Sequence, residues 1–140
     1  MEIKDAAYFN RISKGLIPEL LGIEFLTVEP GKKLTCRLHI SALHYAPNGL
    51  LHAASHLTLA DTACGYGTIA SLPNGAKGHA TIELKCNFVA VAKQGPLYCE
   101  AVPVHMGRTL QVWDAVVSDE STGRPLAYFR CTQMIFYDTP

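Results

Sequence analysis

A chain of 140 residues with 12 basic and 12 acidic side chains has the length of one domain and a formal charge of zero. With no excess of positive charge, the chain is not expected to carry a surface that would attract nucleic acid or an anionic membrane, so neither is expected as a partner. The five cysteines are odd in number and scattered, with no Cys-x-x-Cys pair. The sequence therefore predicts neither a zinc site nor a disulfide framework.

The first half of the chain predicts one short helix and two strands. The helix covers 6–16 and places Phe9, Ile12 and Leu16 near one face. The strands cover 23–28 and 34–40, with a turn at Pro30 and Gly31 between them. A loop over 41–48 follows.

The second half predicts one long helix and then only strands. The helix runs from about Leu51 to Ser71 and is apolar on most faces, so we expect it to be buried nearly all round. Polar residues interrupt it too often for a membrane span. The four predicted strands cover 80–90, 97–104, 110–117 and 126–136.

The first of these four strands alternates between apolar and polar residues. This alternation predicts that the side chains point to opposite faces of the strand. The residues on one face are Ile82, Leu84, Cys86 and Phe88, and those on the other are Thr81, Glu83, Lys85 and Asn87. The whole order fits one antiparallel sheet wrapped around a long central helix, an α+β fold. We expect a single domain over 1–140 that includes an N-terminal helical segment over 1–21.

Asp61 is an unusual residue in the middle of this helix. It is the only formally charged side chain between Arg37 and Lys77. An ionised carboxylate in apolar surroundings is costly unless something compensates it, so Asp61 is a candidate catalytic group. A partly exposed or hydrogen-bonded structural aspartate is the alternative.

The start of the helix is a second candidate feature. Free backbone N–H groups and a positive dipole end are found at helix N-termini, and small residues at Ala53 and Ala54 let a ligand approach closely. The N–H of either residue could bind a developing oxyanion. The alternative is an ordinary helix start with small residues for packing.

Spacing along the helix decides how these two features could work together. Asp61 follows Ala53 by eight residues, or roughly 12 Å along the axis, and lies about 180° around the helix from His52. One helix therefore cannot offer both groups to one carbonyl. If both are catalytic, Asp61 must come from an antiparallel copy of the helix, which predicts a dimer with shared active sites.

The run from Asn48 to Ala63 (NGLLHAASHLTLADTA) resembles the signature of hotdog-fold acyl-CoA thioesterases of the phenylacetate-pathway (PaaI-like) type. In that family an Asn lies in the loop, His-Gly-Gly starts the central helix, and an Asp follows in Leu-Ala-Asp-Thr-Ala or a similar run. Later segments are also similar to the family: the strand from Ala80 to Phe88, the turn into the next strand from Gly107 to Leu110, and the segment from Gly123 to Ala127. The resemblance covers about residues 22–136 and implies a hotdog fold.

The resemblance also implies roles for individual residues. Asp61 would be the general base or the nucleophile, and the N–H of Ala53 would polarise the thioester carbonyl. The remaining residues of the catalytic set would be Asn48, His52 and Thr81, with Thr81 placing the water. The residues that would bind the acyl group or coenzyme A are Ala54, Leu57, Tyr66, His105, Gly107 and Arg108. The forked donors of Arg108 suit phosphate.

One departure from the family pattern keeps other functions open. Ala53 and Ala54 replace the usual Gly-Gly, and their methyl groups could narrow the pocket. A dehydratase or hydratase acting on acyl-CoA or acyl-carrier protein, with His44 as its histidine, is one alternative. A non-catalytic acyl-CoA-binding protein is the other.

The expected partners are an acyl-CoA substrate and further copies of the chain, as a homodimer or as a homotetramer built as a dimer of dimers. Coenzyme A would enter only as part of the substrate, with no other cofactor. No metal site is predicted, because no Glu lies in a His-Glu-x-x-His arrangement between His52 and His56. The first residues lack the pattern of a secretory signal, so a cytoplasmic location is expected.

Overall fold

The computed structural model describes residues 1–138, and the last two residues of the predicted domain, Thr139 and Pro140, lie outside the described residues. Two short helices come first, α1 (Ala6–Ile12) and α2 (Ile17–Leu20). The other elements follow in the predicted order: β1 (Ile23–Glu29), β2 (Lys33–Leu38), a 3₁₀ turn (Ala42–His44), α3 (Ala53–Ala70), β3 (Gly78–Phe88), β4 (Leu97–Met106), β5 (Leu110–Asp119) and β6 (Pro125–Phe136).

The strands form one six-stranded antiparallel sheet in the order β1-β2-β4-β5-β6-β3, so β1 and β3 are its edges. Helix α3 packs on one face of the sheet and contacts all six strands. Residues that alternate along β5 and β6 turn toward the helix and are buried, among them Trp113, Phe129 and Cys131. The predicted fold, a sheet wrapped around a central helix in the hotdog arrangement, is confirmed.

The predicted N-terminal helix over 6–16 is wrong in its extent. Helix α1 ends at Ile12, and Gly15 adopts a positive φ of 74° that breaks the chain direction. Pro18 then lies in the first turn of α2, where proline is tolerated. Of the three apolar residues assigned to one face, Phe9 is buried, whereas Ile12 and Leu16 are exposed.

The prediction that α3 is buried nearly all round is also wrong within this chain. One side of the helix is buried against the sheet, where Gly67 lets the Trp113 ring come within 2.7 Å of the position that a Cβ would occupy. The other side, which includes Leu57, Asp61 and Gly65, is half-buried, and the first residues are exposed. Partly open apolar surfaces of this kind often mark interaction sites.

A β-bulge in β3 corrects the predicted faces of that strand. Thr81 pairs with Gln133 and Glu83 pairs with Thr132, so Ile82 is an extra residue in the ladder. Because Gln133 is buried on the helix side of β6, its partner Thr81 shares the helix-facing side. Thr81 therefore faces the same way as Leu84 and not with the polar residues after it, as simple alternation predicted.

The cysteines are free thiols; four of them are buried and Cys86 is half-buried. In residues 1–138 no helix is long and apolar enough to cross a membrane. Over the same residues, no group of three or more His, Cys, Asp and Glu side chains is arranged to hold a metal ion.

Candidate active site

The first residue of α3 presents an unpaired backbone donor. His52 is the N-cap residue, and its Nδ1 accepts a hydrogen bond of 2.9 Å from the N–H of Ala54. The N–H of Ser55 donates to the carbonyl of His52 at 2.9 Å. Nothing among the described residues accepts from the N–H of Ala53, which leaves it as the free donor at the positive end of the helix.

The loop before α3 holds this helix start in place. The N–H of His52 donates to the carbonyl of His44 at 2.8 Å, and the Ser55 hydroxyl donates to the same carbonyl at 3.1 Å. Asn48 lies in a tight turn, where its Oδ1 accepts from the N–H of Leu50 at 3.1 Å. The carbonyl of the Asn48 amide is thus engaged locally, and the residue is exposed.

A cleft of about 390 Å³ opens beside this helix start. Its walls come from α3, the 3₁₀ turn and the end of α2: Leu21, Leu43, His44, Tyr45, His52, Ala54, Ser55 and Thr58. Several polar groups of the lining are already satisfied by backbone partners, as the Tyr45 hydroxyl is by the carbonyl of Lys93 at 2.9 Å. The cleft therefore offers mainly apolar contacts next to Ala54.

Asp61 lies eight residues further along the continuous helix, on its half-buried side. Its Oδ1 is buried and finds no hydrogen-bond partner among residues 1–138. Burial raises the pKa of the Asp61 carboxyl above its usual value, and the nearby His79 opposes this in part. Ala53, Leu57, Asp61 and Gly65 follow each other at four-residue intervals, so they form one row along the helix.

The raised pKa predicts that Asp61 lowers the stability of the folded chain at neutral pH. The folded state binds this proton more tightly than the unfolded state, so stability falls as pH rises from the ordinary aspartate pKa, about 3.9, through the folded-state value. We expect Asp61→Asn to melt a few degrees above wild type at neutral pH, with the difference vanishing in acid. Thermal unfolding across pH measures it, and a less stable variant at pH 7 would contradict it.

Behind Asp61, the described side chains include a polar cluster that the sequence analysis missed. His79 Nδ1 and the Thr81 hydroxyl both donate to Oε1 of Gln133, each at 3.0 Å. Gln133 is fully buried, and its Nε2 donates to the Cys131 sulfur at 3.2 Å. The available signal was Gln133 itself, a polar residue at a helix-facing position between the apolar positions of β6.

The three residues predicted at the β4–β5 turn do come together. An added Cβ at Gly107 would lie 2.6 Å from Nε2 of His105, so the histidine ring covers this glycine. The Arg108 guanidinium lies 4.8 Å from the centre of the Tyr137 ring, whose hydroxyl donates to the Arg108 carbonyl at 2.6 Å. No carboxylate among the described residues pairs with Arg108, so its donors remain available.

This turn lies at the far end of α3 from Ala53. Just after it, Nε2 of Gln111 donates to the carbonyl of Ser71, the residue that ends the helix, at 3.1 Å. Eighteen residues of helix separate Ser71 from Ala53, or about 27 Å. Arg108 and Ala53 of one chain are therefore far apart.

Tyr66 lies in a different part of the molecule from the predicted acyl pocket. Its ring stacks on Phe25 with 4.8 Å between ring centres and packs on Phe9 at 5.1 Å. Five residues of helix turn Tyr66 about 140° away from Asp61. The structure therefore places Tyr66 in the aromatic core under α1 and not beside the carboxylate.

The fold and the arrangement around α3 define a hotdog protein with a helix N-terminus and a half-buried carboxylate as its candidate groups. Residues 48–126 match the family model described as the thioesterase superfamily. The chain is 30% identical over 116 residues to the 1,4-dihydroxy-2-naphthoyl-CoA hydrolase of Listeria monocytogenes. This alignment covers 83% of this chain and 92% of that protein.

Further similar proteins carry related names. The proofreading thioesterase EntH of Klebsiella pneumoniae is 30% identical over 120 residues, covering 84% of this chain and 85% of EntH. A crystal structure of a mutant of the Pseudomonas aeruginosa thioesterase PA1618 superposes with a TM-score of 0.86 at 27% identity, covering 94% and 93% of the two chains. The chain belongs to the thioesterase superfamily, and the predicted class of enzyme, a thioester hydrolase, is confirmed.

Proposed function

We propose that this protein hydrolyses the thioester of an aryl- or short- to medium-chain acyl-CoA, with Asp61 of one subunit and the Ala53 N–H of another acting on the same carbonyl. The observation that carries the proposal is the pairing of an unsatisfied helix N-terminal donor with a half-buried carboxylate. They lie on one row of α3 but about 12 Å apart. The aryl substrate class is supported by the name of the Listeria relative.

Two-fold symmetry brings these groups together. Leu57 lies midway between Ala53 and Asp61 on the same row of α3. An antiparallel copy of the helix, related by a two-fold axis near Leu57, therefore sets each Ala53 opposite the partner's Asp61. The exposed and half-buried surface of this row is the surface such a copy would cover.

The edge strand β3 supports the same assembly. It is eleven residues long, and β6 pairs with one side of it only. Its apolar side chains Ile82, Leu84 and Phe88 remain 40–52% exposed, and such an edge invites pairing with another chain. In the proposed dimer, the β3 strand of a second copy would pair with this edge, and the two α3 helices would pack beside each other. The dimer of dimers expected from the family resemblance remains a proposal.

The proposed reaction balances as thioester plus water giving acid plus thiol. As general base, Asp61 takes a proton from water while the water oxygen bonds to the carbonyl carbon. The new oxyanion accepts the N–H of Ala53, the carbon–sulfur bond breaks, and the proton ends on the thiol. As nucleophile, the carboxylate instead attacks the carbonyl carbon and forms an acyl anhydride as the carbon–sulfur bond breaks and the thiolate leaves; water then hydrolyses the anhydride to the acid and the free carboxylate. Neither route requires a metal or an organic cofactor.

The two ends of the substrate have candidate contacts. The apolar cleft beside Ala54 would receive the acyl group or the thiol arm, and His52 at its rim would contact it. Arg108 would bind a coenzyme A phosphate, with His105 beside it. Arg108 lies near the Ser71 end of its own α3, about 15 Å along the helix beyond Asp61, so it would bind the far end of a coenzyme A whose thioester lies between that chain's Asp61 and the partner's Ala53.

A hydratase that uses His44 receives less support from this chain. The Nδ1 of His44 accepts from the N–H of Ser41 at 2.9 Å, and its Nε2 donates to the carbonyl of Leu21 at 2.6 Å. Both ring nitrogens are thus used by the backbone, and neither is free to move a proton to or from a substrate.

A substrate panel tests the proposal. Aryl-, short- and medium-chain acyl-CoA compounds are assayed for thiol release with wild type and Asp61→Asn in parallel, and enoyl-CoA hydration is measured beside them. We expect thiol release by wild type alone. Binding of a non-hydrolysable acyl-CoA without hydrolysis of any compound would favour the binding protein, and hydration would favour the alternative enzyme.

A further inference from the structure

His79 is the basic side chain whose field acts on the pKa of the Asp61 carboxyl, although the family resemblance assigns it no role. It lies near the start of β3, on the helix-facing side of the strand. Its Cε1 is 3.8 Å from the point where a Cβ on Gly65 would stand. Gly65 follows Asp61 by one turn on the same row of α3, so the imidazole packs against the turn that follows the carboxylate.

The ring of His79 has a defined orientation. Gln133 Oε1 can only accept, so Nδ1 of His79 carries the hydrogen of the 3.0 Å bond between them. Gln133 cannot turn, because its Nε2 donates to Cys131 and its Oε1 also accepts from Thr81. Nε2 of His79 has no hydrogen-bond partner among residues 1–138.

We propose that His79 is a positioning residue for Asp61: held by Gln133 against the turn of α3 at Gly65, its imidazole is the charge partner of the half-buried carboxylate during reaction. This inference rests on the proposed catalytic role of Asp61. It goes further by assigning a charge partner to an oxygen that has no hydrogen bond of its own. Gln133 and Thr81 act behind it, by fixing the ring.

The other titratable groups around Asp61 cannot do this. Cys64 on α3 and Cys131 on β6 are close enough for the carboxylate to affect them. Thiols are neutral or negative and cannot offset a negative carboxylate, whereas protonated histidine can. The field of His79 lowers the pKa of Asp61 against the larger effect of burial, which raises it.

The pH dependence of turnover is the distinguishing readout. His79→Asn keeps an N–H that can donate to Gln133 but removes the charge. We expect its kcat/KM to fall roughly fivefold to tenfold below wild type at acid pH, because the field of the imidazole no longer opposes the burial that raises the pKa of Asp61, and we expect the gap to close as pH rises. His39→Asn, which removes an exposed imidazole paired with Glu24 at 2.6 Å, is the matched control and keeps the wild-type profile.

A second readout does not depend on activity. Carbon-13 NMR of labelled aspartate carboxyls, with the Asp61 signal identified by its loss in Asp61→Asn, follows the carboxyl through a pH titration. The midpoint for Asp61 should move to higher pH in His79→Asn, and His79→Gln supplies the same measurement if the first variant does not fold. An unmoved midpoint overturns the inference. A moved midpoint in a protein whose Asp61→Asn variant still hydrolyses thioesters would uphold the coupling and overturn the proposed function alone.

Discussion

Asp61→Asn is expected to fold, to assemble and to lose about 10²- to 10⁴-fold in kcat on a thioester that the wild type hydrolyses. The amide has nearly the same shape as the acid, and no hydrogen bond to Oδ1 of Asp61 is lost among the described residues. It can neither take a proton from water nor attack a carbonyl at neutral pH. Release of free thiol measures the loss.

The matched control for this variant is Asp114→Asn. Asp114 also carries a carboxylate, which is paired with Arg130 at 2.6 Å on the face of the sheet away from α3. We expect near wild-type turnover from it, because an exposed ion pair contributes little to stability and lies outside the proposed site. Substantial thiol release by Asp61→Asn would exclude the carboxylate as base and as nucleophile.

Ala53→Pro is expected to lower kcat by about 10²- to 10³-fold, as removal of one oxyanion donor does in other acyl-transfer enzymes. The change deletes one N–H, and no group among residues 1–138 accepts from that N–H. Proline is favoured at the first position of a helix. The preceding residue, His52, is already extended (φ −66°, ψ 140°), as a residue before proline prefers to be.

The variant Ala53→Gly distinguishes the effect of the N–H on activity from the effect of the side chain at this position. It removes the methyl group, keeps the donor and restores the glycine that is usual in the family, so we expect it to stay within a few-fold of wild-type kcat. Circular dichroism and melting temperature check that both variants fold. Equal activity of Ala53→Pro and Ala53→Gly would show that the helix N-terminus does not bind the oxyanion.

Much of the fold followed from local pattern in the sequence. The long apolar helix, the strands and their order were predictable because alternation and helical periodicity depend on neighbouring residues. The lone charge at Asp61 was visible for the same reason. Gly15 is also a local signal, a glycine just past the end of α1, but the spacing of Phe9, Ile12 and Leu16 favoured a helix that continues through it.

The missed part of the site depends on contacts between distant residues. The bulge at Ile82 adds one residue to β3, and a single extra residue moves Thr81 to the other face. His79 and Gln133 are 54 residues apart and meet only when β3 pairs with β6. In addition, His52 caps the N–H of Ala54, so only the folded chain distinguishes Ala53 as the free donor.

Subunit mixing tests the shared site most directly. Chains carrying Asp61→Asn are co-expressed with chains carrying Ala53→Pro, and each single variant is prepared alone. In a mixed dimer, one site combines the intact Ala53 of the first chain with the intact Asp61 of the second, and the other site has both changes. We predict that a random equimolar mixture recovers about a quarter of wild-type activity, because half of its dimers are mixed and each of those has one intact site. A mixture no more active than the two separate variants would contradict catalysis by two subunits at one carbonyl.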